Sequence, residues 1–142
     1  MPFFIINKPC FATGRGEVLE PVILDLSAYK IIVVNPQIHV STKDAFSKLT
    51  PKIPEKSIKE IIAQPVVSWR EELSNDFEKP VFDLHPAIKE IKDEMYAAGA
   101  IYASMTGTGS TVFGIFNKTF EADFSFPENY LLCCYTLRLL KF

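Results

Sequence analysis

Residues Met105-Thr106-Gly107-Thr108-Gly109-Ser110-Thr111 join two glycines to four hydroxyl side chains in a stretch bordered by apolar residues. Glycine tolerates positive φ and lets backbone N–H groups come close to a ligand. The hydroxyls of Thr106, Thr108, Ser110 and Thr111 add donors suited to phosphate oxygens. An anion site is one reading of this pattern and a tight hairpin turn with polar residues is the other; the segment alone does not separate them.

Other reactive side chains offer less. His39 and His85 are the only histidines, lie far apart in the chain and have no Cys or acidic spacing that would make a metal site. Cys10, Cys133 and Cys134 form no C-x-x-C pair and leave an odd number, which argues against a disulfide framework and predicts reduced packing residues. No Gly-x-Ser-x-Gly elbow supports a serine nucleophile. With 142 residues, 48% of them hydrophobic, the chain suits one core and one domain. A net charge of -2 with no basic run gives no footprint for nucleic acid. Apolar runs too short for a bilayer, and a start unlike a signal peptide, predict no membrane partner and a cytoplasmic protein.

The surrounding elements read as follows. Pro2 to Ile6 is a strand-like run, Phe11 to Thr13 and Glu17 to Leu19 form a hairpin around Gly14-Arg15-Gly16, and Tyr29 to Asn35 is a central strand closed by Pro36. Ser41 opens a short helix, and Ile58, Ile61 and Ile62 mark another. Asn75-Asp76-Phe77-Glu78 has the form of a capping box, with Asn75 capping and Glu78 reaching back. Leu84, Ile88, Ile91, Met95 and Ala98 line one face of a helix with Pro86 at its first turn and Gly99 as its C-cap. Strands at 101–105 and 111–116 flank the glycine loop, 117–129 reads as a loop or single turn, and Tyr130 to Leu140 offers a last strand. Trp69 packs the middle region against the core. Together these predict an α+β fold, a ferredoxin-like two-layer sandwich with an antiparallel sheet and helices on one face.

Several of these segments, in this order, carry a resemblance. They are Pro-Phe-Phe at 2–4, Phe-Ala-x-Gly-x-Gly-Glu at 11–17, the strand ending in Asn-Pro, Ser-Thr-x-x-Ala-Phe at 41–46, Asn-Asp-Phe-Glu at 75–78 and Met-Thr-Gly-Thr-Gly-Ser at 105–110. The chain resembles the C-terminal half of the 4-diphosphocytidyl-2-C-methyl-D-erythritol kinases, of the GHMP kinase superfamily, over residues 2 to about 116. The resemblance implies that residues 1–142 are a single GHMP kinase C-terminal, substrate-side domain. It implies a parent enzyme that transfers the γ-phosphoryl of ATP to the 2-hydroxyl of a cytidine-diphosphate-linked methylerythritol, in non-mevalonate isoprenoid biosynthesis.

ATP and Mg2+ would be held mainly by an N-terminal ATP-binding domain. Neither the family's glycine-rich ATP loop nor its catalytic aspartate occurs in this sequence, so no residue here is assigned as catalytic and the isolated chain is expected to be inactive. The resemblance makes Thr42 and Phe46 substrate-binding residues, Phe46 by stacking on cytosine, and places Gly107, Thr108, Gly109 and Ser110 beside the phosphoryl-transfer centre. Local pattern alone favours Phe46 as the apolar anchor of a short helix and offers Thr42 as a capping residue; only the resemblance turns them toward the substrate. A face including Phe3 or Phe4, uncovered by the missing domain, would favour a homodimer. Two alternatives to this function stay open: a stand-alone ferredoxin-like ligand-binding or regulatory domain, and the C-terminal domain of another GHMP kinase.

Overall fold

Tyr29–Asn35 alternates two buried faces. Ile32 and Val34 are fully buried on one side while Ile31 and Val33 are half-buried on the other, so this strand needs cover on both. The computed structural model describes residues 9–121 and 123–136, and within them this strand, β3, is central. A separate hairpin precedes it, β1 (Cys10–Thr13) against β2 (Val18–Pro21). The main sheet adds β4 (Tyr102–Met105), β5 (Val112–Asn117) and β6 (Leu131–Thr136) in the order β4-β5-β3-β6, antiparallel throughout. The expected strand at Pro2 to Ile6, with Phe3 and Phe4, and the end of the last strand beyond Thr136 lie outside the described residues.

Among the described residues the helices are α1 (Thr42–Ser47), α2 (Ile58–Ile62), α3 (Trp69–Glu72, entered through a 3-10 turn at Val66–Ser68), α4 (Glu78–Leu84) and α5 (Pro86–Ala97). Ile88, Ile91 and Met95 of α5 pack with Ile32, Val34, Ala103, Met105, Val112 and Phe116 into the larger core. The helix ends in a Schellman motif, with the Ala100 N–H on the Met95 carbonyl and the Gly99 N–H on that of Tyr96, and Gly99 at φ +110° supplies the left-handed residue. Leu84 departs from its expected place on the buried face: it is 43% exposed. Pro86 disfavours helical geometry at His85 (φ -133°, ψ 77°), so the helical run breaks there and Leu84 ends α4 instead of continuing the stripe of α5.

The helix layer is the expected one, and the reverse face of the sheet is covered as well. Trp69, Ile61 and Val66 pack there with Tyr102 and Ile115, and Leu24, Leu26 and Ile31 join them. Residues 118–130 form no helix among the described residues. A ladder of rings from Phe116 through Phe120, Phe124 and Phe126 to Tyr130 lies there, with successive centroids 4.2, 6.2, 5.2 and 6.0 Å apart. One correction concerns the cysteines: Cys133 and Cys134 are free thiols exposed on edge strand β6, not packing residues, because no element covers either face of that strand among the described residues. Among those residues no helix is long and apolar enough to cross a membrane.

Tyr102 gives this packing a pH signature. Its hydroxyl donates to the Leu73 carbonyl at 3.1 Å, and burial pushes its phenol up to about 12. An unfolded tyrosine ionises near 10. The fold therefore favours the protonated phenol, and this contribution is fully present below pH ~10 and lost as pH rises toward ~12. Two units correspond to an upper bound of roughly 3 kcal/mol, reduced by the solvent that still reaches the ring. Denaturant melts at pH 9 and pH 11.5 should show Tyr102→Phe losing less stability across that interval than the parent chain. Equal losses would remove Tyr102 as the cause.

Candidate functional site

The site residues come from α1, the β4–β5 connection and the segment before α4. At the start of α1, Ser41 Oγ accepts the Asp44 N–H at 3.3 Å, as a capping serine should. Ala45 is the helix's buried anchor. Phe46, next to it, turns outward and is 57% exposed, and its ring meets Phe77 edge-on with centroids 4.9 Å apart at 76°. Thr42 is exposed and lies four residues before Phe46, on the same side of the helix.

The glycine loop is the hairpin between β4 and β5. The Thr106 N–H bonds the Thr111 carbonyl and the Gly109 N–H bonds that of Thr106, both at 2.9 Å, so two of its donors close the turn itself. Gly107 and Gly109 both have positive φ, +51° and +95°. At Gly109 space is short too: a Cβ would stand 3.0 Å from Met105 Sδ and 3.4 Å from Val40 Cγ2. Val40 comes two residues before Thr42, so the loop and the entry to α1 are neighbours. Thr106 and Gly107 are exposed, Thr108 is half-buried and Ser110 is buried.

The expected capping box does not form. Helix α4 begins only at Glu78, and no side chain caps it. Asn75 instead accepts the Phe77 N–H at 3.0 Å with Oδ1 and donates through Nδ2 to the carbonyls of Met105 and Gly107, both at 2.8 Å. Glu78 is 9% exposed, and its Oε1 accepts the Met105 N–H at 2.9 Å and Ser104 Oγ at 3.0 Å. Its Oε2 pairs with Lys92 Nζ at 2.6 Å. The physical reason is the edge of the sheet. Among the described residues β4 has a neighbouring strand on one side only, and Asn75 and Glu78 satisfy both the C=O and the N–H of Met105 on the other. Both residues stand in the sequence where a helix cap would, and spacing carries no signal of a partner some thirty positions away.

Of the predicted residues these contacts link Phe46 to Gly107. Phe46 touches Phe77, whose N–H is held by Asn75, which in turn holds Gly107. Alongside, between the end of α1 and the start of α4, opens a cleft of about 540 Å³ whose lining includes Lys48, Lys52, Asn75, Asp76 and Lys79. That volume is within the range of small-molecule sites. The lining mixes ammonium and carboxylate groups, which suits a polar ligand. Among the described residues no group of three or more His, Cys, Asp or Glu is placed to hold a metal ion.

Comparison with known proteins agrees with this architecture. The family described as GHMP kinases C terminal matches residues 57–124. A 4-diphosphocytidyl-2-C-methyl-D-erythritol kinase of Bacteroides fragilis is 50% identical, with 87% of this chain and 48% of that protein covered. The enzyme of the same name from Parabacteroides distasonis is 54% identical over 82% of this chain and 43% of that protein. A crystal structure of 4-(cytidine 5'-diphospho)-2C-methyl-D-erythritol kinase superposes with a TM-score of 0.62 at 30% identity, covering 80% of this chain and 42% of that one. The chain thus spans about half the length of the curated relatives it matches. Residues 57–124 of this chain belong to the C-terminal domain family of the GHMP kinases.

Proposed function

We propose that this chain is the substrate-side domain of an ATP-dependent kinase acting on the 2-hydroxyl of 4-diphosphocytidyl-2-C-methyl-D-erythritol, in the cytoplasmic non-mevalonate route to isoprenoids. The observation that carries the proposal is the Phe46 ring: exposed, braced edge-on by Phe77, and linked through Asn75 to the glycine loop. An aromatic that served only as a helix anchor would be buried, and Ala45 has that place. A ring with one open face suits a nucleobase, for which stacking supplies about 1–3 kcal/mol. Thr42 lies on the same side of α1, with a hydroxyl that can meet the polar edge of the base. Gly107, Thr108, Gly109 and Ser110 would then border the end of the substrate that reacts.

Among the described residues no group of three or more His, Cys, Asp or Glu is placed to hold a metal ion, and the glycine loop closes a β-hairpin with two of its own N–H groups. In this reading ATP and Mg2+ belong mainly to the part of the relatives' length that this chain does not span. No phosphoryl-transfer step is assigned to a residue here.

The test uses the complete protein in which this chain occurs. ATP-dependent ADP release should require the cytidine-diphosphate substrate. Phe46→Ala should raise the Michaelis constant for that substrate about ten- to hundredfold with little change for ATP, since only the base loses its stacking partner. A Michaelis constant that stays put while the melting temperature falls would make Phe46 a structural residue and defeat the proposal.

A further inference from the structure

We infer that Asn75 is a positioning residue that fixes the glycine loop relative to the Phe46–Phe77 pair, so that base recognition and the reacting end are held in one geometry. The inference rests on the function proposed above. Its physical basis is the valence of a primary amide. Asn75 faces one N–H donor and two carbonyl acceptors, and asparagine carries one acceptor oxygen and an NH2 group with two donors, one for each. Aspartate has the same shape, yet once ionised it has no donor and sets a negative charge against the carbonyls of Met105 and Gly107. Alanine keeps none of the three bonds.

The placement gives those bonds their role. Among the described residues, Asn75 is the side chain from outside the β4–β5 hairpin whose bond to Gly107 the structure records. The loop otherwise closes on itself through Thr106, Gly109 and Thr111. Hairpin bonds set the shape of such a loop but do not by themselves fix its place relative to α1 and Phe77. The two bonds from Nδ2 help to fix that place at the base of the loop. The bond from Oδ1 fixes the backbone of Phe77, whose ring braces Phe46. A displacement at either end is therefore passed to the other through Asn75, beside the packing of Gly109 near Val40 and Val81.

The experiment is a double-mutant cycle in the complete protein, with 4-diphosphocytidyl-2-C-methyl-D-erythritol and ATP as varied substrates and melting temperatures recorded in parallel. Asn75→Asp is expected to lower kcat and raise the Michaelis constant for the cytidine substrate, reducing kcat/KM on the order of tenfold for two lost hydrogen bonds, with the constant for ATP unchanged. Added to Phe46→Ala, it should cost less than the product of the two single losses, because both act on the same braced ring. Losses that simply multiply, or kinetic constants unchanged well below the melting temperature, overturn the inference. If Phe46→Ala alone has no kinetic effect, the base-stacking reading fails. The loop half is then judged by kcat of Asn75→Asp, where a drop upholds it and an unchanged value overturns it. Should Asn75→Asp not fold, Asn75→Ala brings no charge against the carbonyls and serves in the same cycle.

Discussion

Replacing Glu78 by alanine is expected to cost about 3 kcal/mol of folding stability in urea or thermal unfolding, the lower end of what breaking a buried charge pair costs. Glu78 is 9% exposed and takes three donors: the Met105 N–H, Ser104 Oγ and Lys92 Nζ. Alanine strips all three. Among the described residues the Met105 N–H, on the side of β4 away from β5, has no second strand to turn to, and Ser104 is buried beside it. Lys92 suffers less, since its side chain is 23% exposed and can reach water. Glu78→Gln keeps an oxygen for the strand and loses only the charge partner of Lys92, so it should cost about 1 kcal/mol. A loss below about 1 kcal/mol for Glu78→Ala would mean that the edge of β4 is satisfied in some other way.

The contrast between what was legible in the sequence and what was not follows the distance over which each device acts. β3 could be read because the β-branched run Ile31-Ile32-Val33-Val34 is closed shortly after by Pro36, and the end of α5 because Gly99 stands just past the last turn. Both are local. The break at His85 was half legible: Pro86 marked a first turn, but the apolar spacing ran across it and carried Leu84 onto the wrong side. Asn75 and Glu78 were misread for a different reason. A capping box and a strand-edge clamp call for the same residue types, an amide or hydroxyl followed by an acid, and the two differ only in whether the partner lies three residues or about thirty residues away. The second, reverse-face core around Trp69 was legible as packing but not as a layer, since the short helices α2 and α3 have too few turns to show a face. Within the site, sequence pattern could not decide whether Phe46 anchors its helix, and burial of Ala45 in its place is a fact of packing.

Gly109→Val is expected to reduce turnover of the complete protein on the order of a hundredfold, and to do so more severely than Gly107→Val. Both glycines have positive φ, where a β-branched residue is strained by roughly 1–3 kcal/mol. They differ in what surrounds them. A Cβ at Gly107 meets nothing within 4 Å, so valine there brings backbone strain alone. At Gly109 a Cβ meets Met105 Sδ at 3.0 Å, Val40 Cγ2 at 3.4 Å and Val81 Cγ1 at 3.6 Å, and the two further methyl groups of valine have to displace these neighbours. Val40 leads into α1 and Met105 is the residue that Asn75 and Glu78 hold, so the displacement reaches the aromatic pair as well as the loop. A shift of about 1 Å in a positioned group is enough for a loss of this size. The measurement is kcat for both variants at a temperature where circular dichroism shows them folded. Equal effects would assign the loss to backbone strain and remove the packing argument. Full activity in both would leave the glycine segment as a hairpin and nothing more.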